Sequence, residues 1–463
     1  MEKDILFEPL RFRNLTVKNR IFRSSLSGRF DNYDGSGTQT RINWEEKFAR
    51  GGVGTIISAF APVHIHGRIL PNYATVDSDE TVPFWRALGA RIHQYDCKYI
   101  LQLSHAGRQQ DIKGIENAGR KALSSTGKTE SFHGFQCRSM TVEEICKTTQ
   151  LFADGAVRAR DAGLDGIELH ACNGYLITQF LSSAINNRTD QYGGSLENRA
   201  RFLLDVIKAI RHRIGDDYHL QVKLSATDHH NAVIFWEKKG NTIEDSLRIC
   251  QWIEEAGADA IHVSTGSMFP HPRNPAGDFP LDAAATAYGS MLSSGIYTLR
   301  NYYLFRCRSL RWIFRYLWNR TKSGAIEGIS IEDARKIKAR VNIPVLCTGG
   351  FQSASYIRRV LQDGYCDGVT IARALIANND LVRIFEQGKD QPERPCTYCN
   401  KCLIHVLEDP LGCYETARYG GDHDRMIREV MSVFRPTDVP NLTAEIALPS
   451  LQPAPAARRS LDD

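Results

Sequence analysis

A histidine, an asparagine and a tyrosine lie close together in one short segment of the chain, GIELHACNGYL. His170 and Asn173 can both donate hydrogen bonds to a single oxygen of a bound molecule. Tyr175, two residues further on, offers an acidic proton with an ordinary pKa of about 10. A lone histidine in such a place is more often structural, but the three residues together favour a site that holds an oxygen and delivers a proton.

Four of the twelve cysteines form a second group of reactive side chains near the C-terminus. Cys396, Cys399 and Cys402 have the spacing C-x2-C-x2-C, and Cys413 follows after ten further residues. Three thiolates on a tight arc and a more distant fourth supply the ligation that a [4Fe-4S] cluster needs. Zinc sites more often use two separated C-x2-C pairs. The spacing therefore favours an iron–sulfur cluster, with zinc or no metal as the alternatives.

The composition is that of a globular chain of 463 residues, with 42% hydrophobic and 24% charged residues. It excludes a mostly disordered or collagen-like protein. Lys and Arg exceed Asp and Glu by only five, which is too small an excess to indicate nucleic acid binding. The start of the chain, MEKDILFEPLRF, lacks the apolar core of a secretory signal, and no run of 18 apolar residues occurs. We therefore expect a cytoplasmic protein without a disulfide framework.

Short apolar segments alternate with amphipathic ones from residue 20 to about 390 and must position these side chains. The clearest amphipathic helix is predicted over Ser195–Ile214, with Ser195 at its N-terminal cap. The apolar segments have the character of parallel strands covered by helices on both faces. Eight such strands would close into a (β/α)8 barrel, whereas six would form an open doubly wound sheet. The predicted strands are Ile21–Leu26, Val53–Ala59, Tyr99–Leu103, Gly166–His170, His219–Leu224, Ala260–Val263, Ile343–Cys347 and Gly368–Ile371.

The loop that carries the three reactive residues continues into a longer and more specific pattern. H-x-x-N-x-Y is followed by D-x-Y-G-G-S-x-x-N-R-x-R-F, which runs from Asp190 to Phe202. Q-L-x-H-x-G-R from Gln102 to Arg108 occurs before it, and Gly349-Gly350 and Ala372-Arg373 occur after it in the expected order. Over roughly residues 5–390 the chain resembles the Old Yellow Enzyme family of flavin oxidoreductases, whose members are FMN-bound (β/α)8 barrels. The resemblance favours eight strands over six.

The resemblance also implies which residues hold the FMN. Gly349 and Gly350 would let backbone N–H groups approach the phosphate, and Arg373 would fork onto its oxygens. Gln102 would offer a donor and an acceptor to the pyrimidine edge of the flavin. Lys223 would place a positive charge near N1 and O2, although it could instead pair with a buried carboxylate. The implied FMN-binding residues are Ser25, Leu26, Ser27, Phe60, Gln102, Lys223, Gly349, Gly350, Ala372 and Arg373.

For the chemistry, the resemblance implies reduction of an activated C=C bond in a small substrate by NAD(P)H through flavin N5. His170 and Asn173 would hold the carbonyl oxygen of the substrate, and Tyr175 would protonate its α-carbon. Where many relatives have proline the chain has Ser25, and Ser27 stands where some relatives have cysteine. These departures exclude a cysteinyl-flavin bond at that position and put the substrate type in doubt.

The cysteine motif is similar to that of the iron–sulfur branch of the family, which includes 2,4-dienoyl-CoA reductase and trimethylamine dehydrogenase. It leaves open an oxidative alternative, because ene-reduction by NAD(P)H needs no iron. An amine or acyl dehydrogenase could pass electrons from FMN through a cluster to an external carrier. We therefore keep both directions as hypotheses.

Two segments do not fit the alternation of strands and helices. Residues 265–328, after the sixth strand, are too long for a loop in a compact barrel. Between Arg300 and Lys322 this insertion carries seven basic residues and no acidic one. We favour a packed lid or a contact in a homo-oligomer, with a membrane- or partner-binding helix at residues 290–322 as the alternative.

The predicted organisation has three parts. An FMN-binding barrel takes up residues 1–390, and a Cys-rich extension with the candidate cluster site takes up residues 391–440. We expect residues 441–463, which are rich in Pro and Ala, to be disordered.

Overall fold

Eight parallel strands close into a barrel in the computed structural model, which describes residues 4–110, 112, 121–322 and 324–434. Each strand pairs with the next one along the chain, and the eighth pairs with the first. The (β/α)8 prediction is therefore confirmed, and the open six-stranded sheet is excluded. The strands are β1 Ile21–Arg23, β2 Thr55–Ile57, β3 Lys98–Ser104, β4 Gly166–Ala171, β5 His219–Ser225, β6 Ala260–Ser264, β7 Val345–Thr348 and β8 Gly368–Ile371.

All eight strands lie where the apolar segments predict them, with differences only at their ends. β1 ends at Arg23 rather than at Leu26, and β2 is shorter at both ends than predicted. After Arg23 the chain leaves the strand ladder, and Ser25 and Leu26 line the mouth of the barrel instead. Short strands at Leu10–Arg11, Thr16–Val17, Ala61–Pro62, Ala122–Ser124 and Cys137–Ser139 lie outside the ring.

Helices surround the barrel, and most of them bury one face. The predicted helix Ser195–Ile214 is observed as α5, where the Ser195 hydroxyl accepts a hydrogen bond from the Asn198 N–H at 3.3 Å. Gly215, at φ 70°, ends it. The helices are α1 Gln39–Arg50, α2 Val82–His93, α3 Val142–Asp161, α4 Leu176–Leu181, α5 Leu196–Ile214, α6 Ile243–Glu255, α7 Leu281–Ser290, α8 Thr298–Arg306, α9 Arg308–Thr321, α10 Ile331–Lys338, α11 Ala354–Gln362, α12 Arg373–Ala377, α13 Leu381–Glu386, α14 Lys401–His405 and α15 His423–Val430.

The insertion after β6 folds into α7, α8 and α9, which pack together through aromatic rings. The Phe279 ring lies 4.9 Å from both Phe314 and Trp318, and Tyr288 lies 4.8 Å from Phe305. These rings join a hydrophobic cluster above the mouth of the barrel that is separate from the main core. Within the described residues, no helix is both long enough and apolar enough to cross a membrane.

The Cys-rich segment after α13 contributes α14 and α15 and packs beside the insertion. Arg29, from the loop after β1, donates a hydrogen bond to the Leu407 carbonyl at 2.8 Å. Trp318 donates its indole N–H to the Gly277 carbonyl at 3.0 Å, and the neighbouring Asp278 N–H donates to the Tyr398 carbonyl at 3.1 Å, which holds the insertion next to this segment. The tail predicted to be disordered lies outside the described residues.

A buried carboxylate occupies the interior of the barrel. Glu168 on β4 lies in register with Gln102 on β3 and with Gln221 on β5. Its oxygens accept hydrogen bonds from Gln102 Nε2 at 2.7 Å, from Gln221 Nε2 at 2.5 Å and from His262 Nδ1 at 2.7 Å. The other ring nitrogen of His262 lies 2.8 Å from the Thr370 hydroxyl on β8. The network therefore connects five of the eight strands across the barrel.

The network keeps Glu168 charged. Burial alone would raise the pKa of Glu168, but the hydrogen bonds from His262 and Gln221 and the positive charge of Lys223 lower it to about 2. A charge in the interior is tolerated only when donors satisfy it, and here three strands supply them.

We predict that Glu168→Gln lowers the free energy of unfolding by about 1–3 kcal/mol, because the new amide group places a donor among existing donors. Urea denaturation followed by circular dichroism measures this. Glu197→Gln on the exposed surface of α5 is the control and is expected to leave the midpoint unchanged. Equal midpoints for the two variants would contradict the structural role of the carboxylate.

Candidate functional site

Two adjoining cavities open at the carboxyl ends of the barrel strands. The first, here called the polar cavity, is lined from the ends of β1, β5, β7 and β8. The second, here called the apolar cavity, lies beneath the insertion helices. They share Ser25, Leu26, Asn173, Phe269 and Leu403, so they form one continuous cleft. The carboxyl ends of the strands are where barrel enzymes place their active sites.

The polar cavity brings together most of the residues predicted to bind the cofactor. Those that line it are Ser25, Leu26, Lys223, Gly349, Gly350, Ala372 and Arg373. Ser27 lines the apolar cavity, whereas Gln102 and Phe60 are buried behind the cavity walls.

Gly350 is required by the backbone geometry of the polar cavity. Its φ is 70°, and a Cβ added there would lie 2.7 Å from the carbonyl oxygen of Ile326. No other residue type fits that position without strain. Gly349 and Gly350 both line the polar cavity, so their backbone borders the space in which a ligand would lie.

Lys223 is buried in the wall of the polar cavity, with 5% of its surface exposed. Its ammonium group donates to the Ser24 hydroxyl at 3.3 Å. Within the described part of the chain, no carboxylate lies within ion-pair distance of it, so the alternative role as a direct ion-pair partner is not observed. Its charge is available to an electron-rich group in the cavity.

Gln102 lies beneath Ser25 and is held by Glu168. The Ser25 hydroxyl donates to Gln102 Oε1 at 2.8 Å, while Gln102 Nε2 donates to the Glu168 carboxylate. The carboxylate orients the amide, because it can accept only from the nitrogen. Gln102 therefore turns its oxygen towards the mouth, whereas the sequence led us to expect both a donor and an acceptor there.

Arg373 makes contacts that the sequence did not indicate. Its guanidinium donates to the Ala276 carbonyl at 2.5 Å and to Asn400 Oδ1 at 2.6 Å, and it lies 5.2 Å from the centre of the Tyr398 ring. It thus joins the barrel to the insertion and to the Cys-rich segment rather than projecting freely into the cavity. Arg273 of the insertion lines the same cavity, and its exposed side chain makes no hydrogen bond or ion pair with the described residues.

His170 is buried behind the apolar cavity, between two aromatic rings. Its ring centre lies 4.7 Å from that of Tyr175, in an edge-on arrangement, and 5.8 Å from that of Phe60. Burial and the charge of Lys223 lower the pKa of His170 to about 3, so the ring is neutral.

The Cys172 thiol lies beside one ring nitrogen of His170. Its sulfur lies 3.6 Å from His170 Nδ1, and burial raises the pKa of the thiol to about 12. A protonated thiol can donate to Nδ1, and in that arrangement the ring proton lies on Nε2. Nε2–H could then donate to a ligand.

Asn173 lies at the boundary of the two cavities in the left-handed conformation, with φ 60°. Its Oδ1 accepts a hydrogen bond from Asn274 Nδ2 of the insertion. Gln109 Nε2 holds the loop from the other side by donating to the Asn173 carbonyl at 3.1 Å. Because the side-chain oxygen is engaged, the amide nitrogen remains as the donor to a ligand. The partners Asn274 and Gln109 were not found by the sequence analysis.

Tyr175 is half-buried in the wall of the apolar cavity, just before α4. Burial raises the pKa of its phenol, so the hydroxyl keeps its proton at physiological pH. Most of the remaining wall is apolar and comes mainly from three distant parts of the chain. These residues include Ile69, Leu70, Tyr73, Phe279, Tyr288, Met291, Ile404 and Leu407.

The four cysteines of the motif lie near one another between α13 and the segment after α14. Burial raises the pKa of the Cys402 thiol, and the nearby thiols of Cys396, Cys413 and Cys399 act in the same direction. The segment bends through Tyr398 and Asn400, which have φ values of 56° and 58°.

Two of these sulfur atoms receive hydrogen bonds suited to thiolates. The Tyr398 N–H donates to Cys396 at 3.4 Å, and the Arg418 guanidinium donates to Cys413 at 3.1 Å. Among the residues that the structure describes, no three metal-ligating side chains lie close enough together to hold a single metal ion. A cluster differs from a single ion because its own iron and sulfide ions separate the four thiolates.

Comparisons with known families cover most of the chain. The model of the NADH:flavin oxidoreductase / NADH oxidase family matches residues 5–281. The model of the dihydrouridine synthase family matches residues 316–425.

Two relatives that match most of this chain are longer than it is. The NADH oxidase of Thermoanaerobacter brockii is 32% identical over 396 residues, which are 85% of this chain and 52% of that protein. The N,N-dimethylglycine/sarcosine dehydrogenase of Chromohalobacter salexigens is 27% identical over 411 residues, 87% of this chain and 51% of that protein. The chain thus spans about half the length of these two relatives. A solved 2-naphthoyl-CoA reductase in complex with 2-naphthoyl-CoA is 25% identical, with a TM-score of 0.72 over 91% of this chain and 58% of that one.

We predict that His170 stays neutral between pH 5 and 9, because its pKa of about 3 lies below that range. Nitrogen-15 chemical shifts of the ring, assigned by comparison with His170→Gln, are expected to show the Nε2–H form throughout. Cys172→Ser should keep this tautomer because a hydroxyl can donate to Nδ1, whereas Cys172→Ala should give a mixture of the two. A midpoint near the ordinary histidine value of about 6.5 would contradict the assignment.

Proposed function

The chain belongs to the NADH:flavin oxidoreductase / NADH oxidase family, and on that premise we propose that it binds FMN at the barrel mouth and reduces an activated C=C bond with electrons from NADH or NADPH. The observation that carries this proposal is the continuity of the polar cavity with the cavity that Asn173 and Tyr175 line. A cofactor in the first cavity and a substrate in the second would touch across the shared wall at Ser25 and Leu26.

The residues of the polar cavity fit FMN chemically. Bound FMN would supply transfer of a hydride through N5. The backbone of Gly349 and Gly350 would hold the phosphate. The Arg273 guanidinium, which forms no hydrogen bond or ion pair with the described residues, would neutralise its charge. Lys223 would favour the negative charge that a reduced flavin ring carries, and Gln102 would accept from a ring N–H. Arg373 would support the site indirectly, by anchoring the insertion and the Cys-rich segment.

The residues of the apolar cavity fit an α,β-unsaturated carbonyl compound. His170 Nε2–H and the Asn173 amide would donate to the carbonyl oxygen and stabilise the negative charge that develops there. Tyr175, whose phenol stays protonated, would deliver a proton to the α-carbon. The apolar wall would exclude water and accommodate an apolar substituent.

We predict that Tyr175→Phe slows alkene reduction about 10²–10⁴-fold while NAD(P)H still reduces the flavin at the normal rate. Anaerobic stopped-flow measures the two half-reactions separately, with 2-cyclohexenone as the oxidising substrate. Tyr73→Phe, which alters another tyrosine of the same cavity, is the matched control and should leave both rates unchanged.

His170→Ala should weaken binding of phenol-like ligands because it removes one donor to the oxygen. Full-rate alkene reduction by Tyr175→Phe would exclude the tyrosine as the acid, and unaltered phenol binding by His170→Ala would exclude the histidine as an oxygen donor.

We further propose that Cys396, Cys399, Cys402 and Cys413 hold a [4Fe-4S] cluster. Four neighbouring thiols, two of them receiving hydrogen bonds, match the donor set of such a cluster. Zinc remains the alternative metal.

A cluster also favours a second candidate function, in which an amine or acyl substrate is oxidised and the electrons leave through the cluster to an external carrier. The similarity to a dimethylglycine/sarcosine dehydrogenase supports that candidate.

Anaerobic mixing with candidate amines distinguishes the two directions. Bleaching of the flavin by an amine would support the oxidative candidate. Bleaching by NAD(P)H followed by recovery with an unsaturated carbonyl compound would support ene-reduction.

We predict that the protein purified without oxygen contains about four iron and four sulfide ions per chain. Cys402→Ser should lose most of this iron because it removes one of the four ligands. Cys146→Ser, at an exposed cysteine of α3, is the control and should retain it. Iron and sulfide assays provide the measurement. Stoichiometric zinc, or iron unaffected by Cys402→Ser, would contradict the cluster.

A further inference from the structure

The insertion helices α8 and α9 are apolar on both their inner and their outer sides. Their inner side carries Phe305, Phe314 and Trp318, which are buried in the aromatic cluster above the mouth of the barrel. On the outer side Trp312 is 68% exposed, Tyr303 59% and Tyr316 56%. We call this outer surface the outer ridge. It comprises Ile296, Leu299, Tyr303, Trp312, Ile313 and Tyr316.

Basic side chains flank the outer ridge and have few partners. Of the seven bases between residues 300 and 322, Arg311 and Lys322 form ion pairs with acidic residues near α7. Arg308, Arg315 and Arg320 are exposed, and no carboxylate of the described residues lies within ion-pair distance of them.

The spacing of these residues produces a single stripe along α9. Arg308, Trp312, Tyr316 and Arg320 follow each other at intervals of four, so they lie on the same side of the helix. The rings of Trp312 and Tyr316 stack at 5.9 Å. Two aromatic rings between two guanidinium groups therefore project outward from the protein.

We propose that the outer ridge binds the protein to an anionic membrane surface. Trp and Tyr side chains have an apolar body and a polar tip, which suits the headgroup region of a bilayer, and arginine pairs with lipid phosphates. A second copy fits this surface less well, because a symmetric contact through the ridge would bring the arginines of both copies together. Binding of this kind requires no membrane-crossing helix. It is a property separate from the proposed reaction.

Membrane binding through the outer ridge would place the bilayer close to the apolar cavity. The inner side of the same helices packs on Tyr288, which lines the apolar cavity. A bilayer under the ridge would therefore lie on the outer side of the lid over that cavity.

Vesicle flotation of the protein tests whether the outer ridge binds membranes. The probes are vesicles of phosphatidylcholine alone and vesicles that also contain phosphatidylglycerol. We expect the wild-type protein to float with the anionic vesicles, to stay at the bottom with the neutral ones, and to be released by high salt. The triple variant Arg308→Ala, Arg315→Ala, Arg320→Ala and the triple variant Trp312→Gln, Ile313→Gln, Tyr316→Gln should each lower the floated fraction at least tenfold.

The matched control removes three exposed bases in or directly after the barrel helices by Lys208→Ala, Lys336→Ala and Arg340→Ala, and should float like the wild type. Circular dichroism melts check that each variant is folded, and the arginine variant keeps the test valid if the ridge variant does not fold. A wild-type protein that stays at the bottom with both kinds of vesicle would overturn the proposal. So would equal flotation of all variants, or a dimer that the ridge variant dissociates while no form of the protein floats.

Discussion

A single carboxylate in the middle of the barrel constrains the floor of the site. Glu168 is fully buried, and its charge is tolerable only because donors from β3, β5 and β6 surround it. In meeting that requirement the protein also orients Gln102, whose oxygen then faces Ser25 and the mouth. The strand that carries Glu168 leads directly into the loop with His170, Asn173 and Tyr175. The donors that the buried Glu168 carboxylate requires thus also fix the orientation of Gln102 beneath the site.

The cleft above this floor is assembled from three parts of the chain. The barrel supplies the glycine pair and Lys223, and the insertion supplies Arg273 and the aromatic lid. The Cys-rich segment supplies a further wall and is tied to the barrel through Arg373 and Asn400. Arg373 lines the polar cavity and hydrogen-bonds to both the insertion and this segment. It therefore links the segment that carries the candidate cluster directly to the candidate flavin site.

The sequence predicted the features that depend on local order along the chain. All eight strands and α5 are found where hydrophobic periodicity places them, since burial of each element is encoded in its own residues. The loop after β4 was predicted because the spacing of its three reactive residues is local, whereas the glycine pair after β7 was implied by the family resemblance.

Partnerships between distant residues could not be predicted in this way. Asn274 lies 101 residues after the Asn173 that it orients, and Glu168 lies 66 residues after the Gln102 that it holds. A charged residue within an apolar strand was a signal for Glu168, but it did not indicate the partners. For the insertion, composition revealed the aromatic and basic character, whereas only packing shows which rings are buried and which face outward.

We propose that the mouth of this barrel binds a flavin, and a spectral titration of FMN with the purified protein tests this proposal. The visible absorption bands of FMN should shift on binding, and the change should saturate at one FMN per chain. A colourless protein that leaves the spectrum of added FMN unchanged would contradict it.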